Sequence, residues 1–390
     1  MLFVDKHRPR TFDQLVVHAD LGARLRAIAA SGDLPHVFVY GPSGAGKQTL
    51  VRCLLRELYG PGAEKLRVET KPWKIERAER NVEVELTTVS SNHHVEVNPS
   101  ECGNQDRFVV QEVIKEMAKS RPMDLSASFQ FGASAGAAAA AAAAASSAEA
   151  SHSPGFKVLV VSEVDRLTRD AQYALRRTME KYSSGCRLIM VGTSASRVAD
   201  ALRSRCLCVR VPGPTEGEVK EVLQHVAKKE NLGTIPDKLA TKIANCGLPE
   251  PKAPMLAERN LRRALLCLEA CKAHKFPFEE YQPIVLPDWE LYVDEVATTI
   301  MHEQSPKSLL TVRRKLYELI INCVPPEIIA RRLCLCLANR CRSDDLKAKC
   351  VKLACHYEGR LHEGNKPILH LEAFAANFMS ELKRWQLAQA

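Results

Sequence analysis

Apolar residues fall into two regimes along this chain. In the first half they gather into short, nearly unbroken runs, "HVFVY" at residues 36–40, "FKVLVV" at 156–161 and "CRLIMVGTS" at 186–194. Runs this short and this apolar read as buried strands. The stretches "TLVRCLLRELYG" and "DAQYALRRTMEKY" place apolar residues at helical spacing instead, so strands alternate with helices as in a parallel α/β sheet, and this domain is expected to end near Val211. From "PGPTEGEVKEVLQHVAKKE" onward the period is helical. One helical unit closes near "NLRRALLCLEACKAHK", with "CGLPEPKAPMLAE" as an inserted loop in its middle. After the proline-bearing stretch from Tyr281 to Pro287 the remainder reads as helices, broken at Pro325 and Pro326. The pattern predicts three domains, an α/β domain over 1–212, a small helical domain over 213–278 and an all-α domain over 279–390.

One segment fits neither regime. Residues 126–155 carry a polyalanine tract between Gly/Ser flanks, and with no amphipathic face it has nothing to pack against, so it reads as a mobile surface insertion without chemistry of its own.

Composition adds little to this division. At 390 residues and 46% apolar content the chain can build several cores. Its formal charge of +9 permits phosphate or nucleic-acid partners without establishing one. The fourteen cysteines include no Cys-x-x-Cys pair, and the start "MLFVDKHRPR" has no apolar signal region, so the thiols are expected to be reduced and intracellular. Cys334, Cys336, Cys341, Cys350, Cys355 and His356 crowd together, but in a Leu/Ala/Arg-rich helical pattern they read as small buried hydrophobes, and no metal site is expected. No apolar run approaches the roughly 18 residues that span a bilayer, so no membrane partner is expected.

Chemistry concentrates at "GPSGAGKQTL". An apolar strand precedes it and a helix follows, which is the setting a phosphate-binding loop requires. Gly41, Gly44 and Gly46, with Pro42, Ser43 and Ala45 between them, allow backbone N–H groups to turn onto phosphate oxygens, and Lys47 adds a full charge. The next residue normally offers magnesium a hydroxyl. Here it is Gln48, and Thr49 should be rotated by about 100° away from the metal. The other magnesium partner, an aspartate ending the second strand, is Ser162 in this chain, followed by Glu163, Val164 and Asp165. Glu163 remains as a candidate base for polarising water. The pattern predicts nucleotide binding, as ATP or ADP, with feeble hydrolysis and an uncertain magnesium.

The chain resembles the small subunits of eukaryotic replication factor C, the AAA+ sliding-clamp loader. The resemblance spans essentially the whole sequence and rests on "VDKHRP" (4–9), "GPSGAGKQT" (41–49), "HHVEVNPSECGNQDR" (93–107), "SEVDRLTRDAQYALRRTMEKY" (162–182), "RSRC" (203–206) and "RNLRRALLCLEAC" (259–271). It implies an AAA+ nucleotide domain, a helical lid and a helical collar. By the same resemblance Val4, Arg8 and Val16 cover the adenine side of the nucleotide, although Val4 and Val16 also read as ordinary core residues. Arg262 matches the lid arginine that reaches the phosphates, and Thr193 stands where the family commonly has a sensor asparagine. Arg205 of "SRC" matches the arginine that enters a neighbouring subunit's ATP site, with Arg203 or a structural ion pair as the alternative.

Arg107, Lys115 and Arg169 are candidates for tracking DNA phosphates, or else solvated charges. "KEMAKSRPM", 115–123, is implied to lie near the clamp. The resemblance implies a nuclear heteropentamer with other replication factor C subunits, loading a PCNA-type clamp onto primer-template DNA in replication and repair. Two alternatives remain: a scaffold that holds no nucleotide, and an ATPase-competent subunit using Thr49.

Overall fold

The computed structural model describes residues 1–75, 82–119, 155–183, 185–245, 259–364 and 366–389. The alanine-rich insertion up to residue 154, the whole loop at 246–258 and the end of the 115–123 segment fall outside the described residues. The chain divides into two compact units, Met1–Ile284 and Val285–Ala390.

In the first unit, α1 (Phe3–Lys6) and α2 (Ala19–Ala30) precede β1 (Val37–Tyr40), and the glycine-rich turn leads into α3 (Lys47–Tyr59). Then come β2 (Arg67–Ile75), β3 (Val82–Ser90), β4 (His94–Val97) and α4 (Asp106–Lys119). After the undescribed stretch follow β5 (Lys157–Val161), α5 (Arg169–Tyr182), β6 (Cys186–Gly192), α6 (Asp200–Arg203) and β7 (Leu207–Arg210). The helices α7 (Glu216–Lys229), α8 (Asp237–Ala244) and α9 (Leu261–His274) complete it.

The sheet order is β2-β3-β4-β5-β6-β1-β7. Strands β4, β5, β6, β1 and β7 run parallel, while β2 and β3 are antiparallel additions at one edge. The short apolar runs are explained by burial on both faces. Val37 and Val39 of β1, Val158 and Val160 of β5, and Ile189 and Val191 of β6 meet α2 and α3 on one side. Phe38, Leu159, Val161, Leu188 and Met190 alternate with them and meet α4 and α5 on the other. Leu50, Leu54 and Leu58 of α3 recur every fourth residue and are buried against the sheet, each worth about 1.5–3 kcal/mol of burial.

The pattern of apolar runs predicts only β1, β5 and β6. Strand β3 alternates polar and apolar residues and β2 lies at the open edge, so neither carries a continuous apolar run. Strand β4, His-Val-Glu-Val, carries a polar residue inside, and β7, Leu-Cys-Val-Arg, lies largely exposed, so neither forms the buried apolar run that marks the equally short β1.

Helix α7 starts with a capping box in which Thr215 and Glu218 satisfy each other's backbone N–H groups. Helices α7, α8 and α9 bury Val219, Leu223, Leu239, Ile243 and Leu268 in a core of their own, joined by Phe3 of α1. No helix among the described residues is long and apolar enough to cross a membrane.

The second unit is five helices, α10 (Asp288–His302), α11 (Pro306–Ile321), α12 (Pro326–Arg340), α13 (Asp344–Glu363) and α14 (Pro367–Gln389). The proline pair breaks the helical run where expected, with Pro325 as the N-cap and Pro326 as the first residue of α12. Val296, Leu316, Leu333, Phe374 and Phe378 center its core, and Cys334, Cys336, Cys341 and Cys350 are buried within it as small apolar side chains. Among the described residues no three His, Cys, Asp or Glu side chains are grouped to hold a metal.

Candidate nucleotide site

Strand β1 ends beside β6 and β7, and its carboxyl end delivers the glycine-rich turn to the first turn of α3. Gly41 must be glycine, because a Cβ there would stand 2.0 Å from the carbonyl oxygen of Val211. Above the turn opens a cavity of about 510 Å³. It is bordered by Ser43, Gly44, Ala45, Gly46, Lys47, Gln48 and Thr49, and also by Val4, Arg8, Val16, Thr193 and Arg262. Residues spread over 259 positions of sequence are thus brought to one place. Gly41 and Pro42, also expected to bind the nucleotide, do not line the cavity. Thr49, expected to turn away from the metal, borders the cavity as well, because the cavity wraps the first turn of α3 from Lys47 to Leu50.

Lys47 donates to the carbonyls of Gly41 and Pro42 at 2.7 and 2.8 Å. Burial pushes its pKa below the ordinary lysine value, Asp165 opposes that, and Arg262 adds to it. Arg8 is pushed down in the same way, first by burial and then by Arg52, with a long 3.4 Å contact to Asp5 in opposition. These cations crowd one another around a space with little negative charge, an arrangement suited to a polyanion. Gln48 also lines a second, adjoining cavity of about 220 Å³, which shares Arg8 and Arg10 with the first.

The opposite wall is built by the end of β5. Ser162 is buried there and borders the cavity, but supplies no carboxylate. Glu163 adopts a left-handed backbone, φ 55° and ψ 41°. Its Oε2 accepts from the Ser100 hydroxyl at 3.2 Å and from Arg166 at 3.2 Å, so two partners already hold the carboxylate.

The carboxylate that acts on Lys47 is Asp165, for which the sequence pattern assigned no role. It accepts the backbone N–H of Thr193 at 3.1 Å and the Thr193 hydroxyl. One turn of 3₁₀ helix, Val164–Arg166, carries it back over the strand end. The acid at the fourth position of Ser-Glu-Val-Asp was the available signal. His18 and His225 also border the cavity. His18 shares a hydrogen bond of 3.2 Å with the Ala45 carbonyl through its Nε2. No sequence motif marks either histidine.

Arg205 is absent from this cavity's lining. It lies between α6 and β7, where its Nε donates to Glu180 at 2.7 Å and its Nη1 to the Ala201 carbonyl at 2.8 Å. Its side chain stays about one-third exposed (35%). Arg203 pairs instead with Asp200.

Arg107 and Arg169 are exposed on the first turns of α4 and α5. Those turns are tied by the buried Asp106, which accepts the backbone N–H of Thr168 at 2.7 Å and its hydroxyl at 2.9 Å. Lys115 is exposed and pairs with Glu112 at 3.0 Å.

Comparison with known proteins agrees with this fold. The family profile described as "ATPase family associated with various cellular activities (AAA)" matches residues 37–211. The profile "Replication factor C subunit 3, C-terminal domain" matches residues 289–386. "Replication factor C subunit 5" of Oryza sativa subsp. japonica is 47% identical over 385 residues, covering 99% of this chain and 98% of that one. "Replication factor C subunit 3" of Arabidopsis thaliana is 45% identical, with 100% and 99% covered, and its namesake of Homo sapiens is 44% identical, with 98% and 97% covered. With an AAA nucleotide domain ahead of this C-terminal domain, and full-length identity at these levels, the chain belongs to the replication factor C subunit 3/5 family.

Proposed function

We propose that this chain is one subunit of a clamp-loader ring and that it retains ATP or ADP while hydrolysing it weakly or not at all. The observation that carries this reading is the inequality of the cavity's two walls. Lys47, Arg8 and Arg262 stand around the phosphate loop, whereas Gln48 and Ser162 replace the two oxygen ligands that would fix magnesium. Lys47 would hold the β and γ phosphates, Arg262 would close on them from the lid, and Val4 and Val16 would flank the base. Magnesium chemistry at this site would lack its usual protein ligands. Glu163, held by Ser100 and Arg166, would need to exchange those partners before it could polarise water.

In this reading the first unit works as a nucleotide domain over 1–212 and a lid over 213–278, and the helical remainder over 279–390 is the collar that joins the ring. Arg205 serves a neighbouring subunit's site, where a planar guanidinium stabilises charge on the transferring phosphoryl group. Its absence from the chain's own cavity supports that assignment. Glu180 would then be the partner that parks the side chain until a neighbour's phosphates displace it. Arg107 and Arg169, on adjacent helix N-termini, would follow the DNA backbone without reading bases, with Lys115 as a flanking charge. The partners are other replication factor C subunits, a PCNA-type sliding clamp and primer-template DNA, in replication and repair in the nucleus.

The test is to assemble the complex and identify the nucleotide that stays on this subunit after gel filtration. ADP or ATP at one equivalent, undiminished by chelating magnesium, is the expected result. An empty site would return the chain to a scaffold. Turnover by this subunit, lost on Thr49→Ala, would instead make it an active ATPase.

A further inference from the structure

Helix α9 reaches the phosphate loop by more than its arginine. The backbone N–H of Leu261, its first residue, donates to the Gly44 carbonyl at 3.1 Å. The preceding residue, Asn260, caps the helix: its Oδ1 accepts the N–H of Arg263 at 3.1 Å. The same amide lies flat against Gly44. A Cβ built on Gly44 would stand 1.8 Å from Asn260 Oδ1 and 2.6 Å from its Nδ2, and the φ of +73° at Gly44 excludes most side chains independently.

Asn260 does not itself line the cavity, whereas Leu261, Arg262 and Leu265 do. We propose that Asn260 is a positioning residue, clamping the lid onto the phosphate loop at Gly44 and thereby fixing Arg262 over the phosphate end of the site. The inference rests on the nucleotide reading above and adds the means by which the lid is registered.

Without the clamp, Arg262 has a reason to leave. Burial lowers the pKa of Lys47 and Arg8, and Arg262 lowers both further, so these cations repel one another when no anion is present. The backbone bond to Gly44 and the packed amide oppose that repulsion. The clamp therefore holds a lid arginine ready for a diphosphate group. A nucleoside with a single phosphate would end short of Arg262 and gain nothing from it. The effect belongs to nucleotide release and to discrimination between ADP and AMP.

The experiment titrates the purified full chain with ADP and with AMP by calorimetry, and follows release of a fluorescent ADP analogue chased with ADP. Asn260→Ser is the first variant, since serine caps a helix as well as asparagine does but is too short to keep the packing on Gly44. It is expected to melt with the wild type and bind AMP equally. It should lose ADP affinity by about 10-fold or more, the worth of a charge-assisted hydrogen bond. Arg262→Ala should lose a similar amount, and the double variant no more than either.

Asn260→Asp keeps both cap and packing but sets a negative charge beside the loop, so its ADP affinity should fall below the wild type's at low salt and the gap should narrow at high salt, whatever the serine variant does to folding. Unchanged ADP affinity in both variants, equal losses for ADP and AMP, or losses that add fully with Arg262→Ala would overturn the proposal. A wild-type chain that binds no ADP would remove the nucleotide reading and this inference with it.

Discussion

The two walls of the nucleotide cavity were built by different demands. The loop wall carries Lys47 under a complete glycine turn, faced by Arg262 from α9 and Arg8 from the N-terminal segment. Each is a basic side chain that can attract phosphate with or without a metal. Across from it, the strand wall offers Ser162 where a P-loop ATPase places a magnesium-binding aspartate, and a Glu163 already hydrogen-bonded to Ser100 and Arg166. Retention of a nucleotide needs only the first wall. Hydrolysis also needs the second, because charge developing on the γ-phosphate must be met by an organised metal and a free base. The comparison separates two properties that a phosphate-loop motif alone would merge.

The greatest loss of activity is expected from a residue outside both walls. Arg205→Ala should leave this chain's folding, nucleotide content and place in the complex unchanged, yet reduce hydrolysis at the neighbouring site by about 10³- to 10⁵-fold, as for other arginine fingers. Arg205→Lys should rescue poorly, since an ammonium lacks the planar fork. ATPase and clamp-loading assays, with assembly checked by size, decide it; wild-type rates would eliminate the assignment, and failed assembly would make Arg205 an interface residue.

Next in size is Lys47→Ala, which should weaken nucleotide retention by about 10- to 100-fold, the range of a charge-assisted contact. Total ATPase of the complex should fall only modestly. Near-complete loss of turnover would mean that the strand wall is functional after all.

A smaller and constructive change restores the two missing magnesium ligands, at Gln48 on the loop wall and at Ser162 on the strand wall. Gln48→Thr with Ser162→Asp returns two oxygen ligands suited to a hard cation, and should make ATP binding tighter in magnesium than in chelator by about tenfold. Equal affinity in both buffers would show that the ligands lost from this site are not the two replaced.

The smallest effect lies on the other face of the sheet. Arg107→Ala should weaken DNA binding evenly across sequences and lower the salt slope by about one unit. A loss confined to particular sequences would contradict a backbone contact.

Much of this cavity was legible in the sequence because its central part is local. A strand, a glycine turn and a helix occupy consecutive residues, and burial on both sheet faces leaves unbroken apolar runs at β1, β5 and β6. The remainder depends on contacts between distant residues. Asp165 becomes notable only when β5 and β6 lie side by side and bring Thr193 to it. His18 does so only when its ring meets Ala45 across 27 residues. Strands β2 and β3 were hidden because an edge hairpin can alternate polar and apolar residues and still be well paired. Arg8 and Arg262 were found through family resemblance, since no local spacing links the two ends of the first unit.

Asp106 carries a consequence of another kind. Through one carboxylate, 1% exposed, the first turns of α4 and α5 share hydrogen bonds, so they cannot tilt independently. Arg107 and Arg169 are therefore mounted on a common base, and their backbones fluctuate together rather than separately. The entropy of orienting one helix end against the other is lost when the chain folds, and an anion spanning both ends has only the arginine side chains left to order.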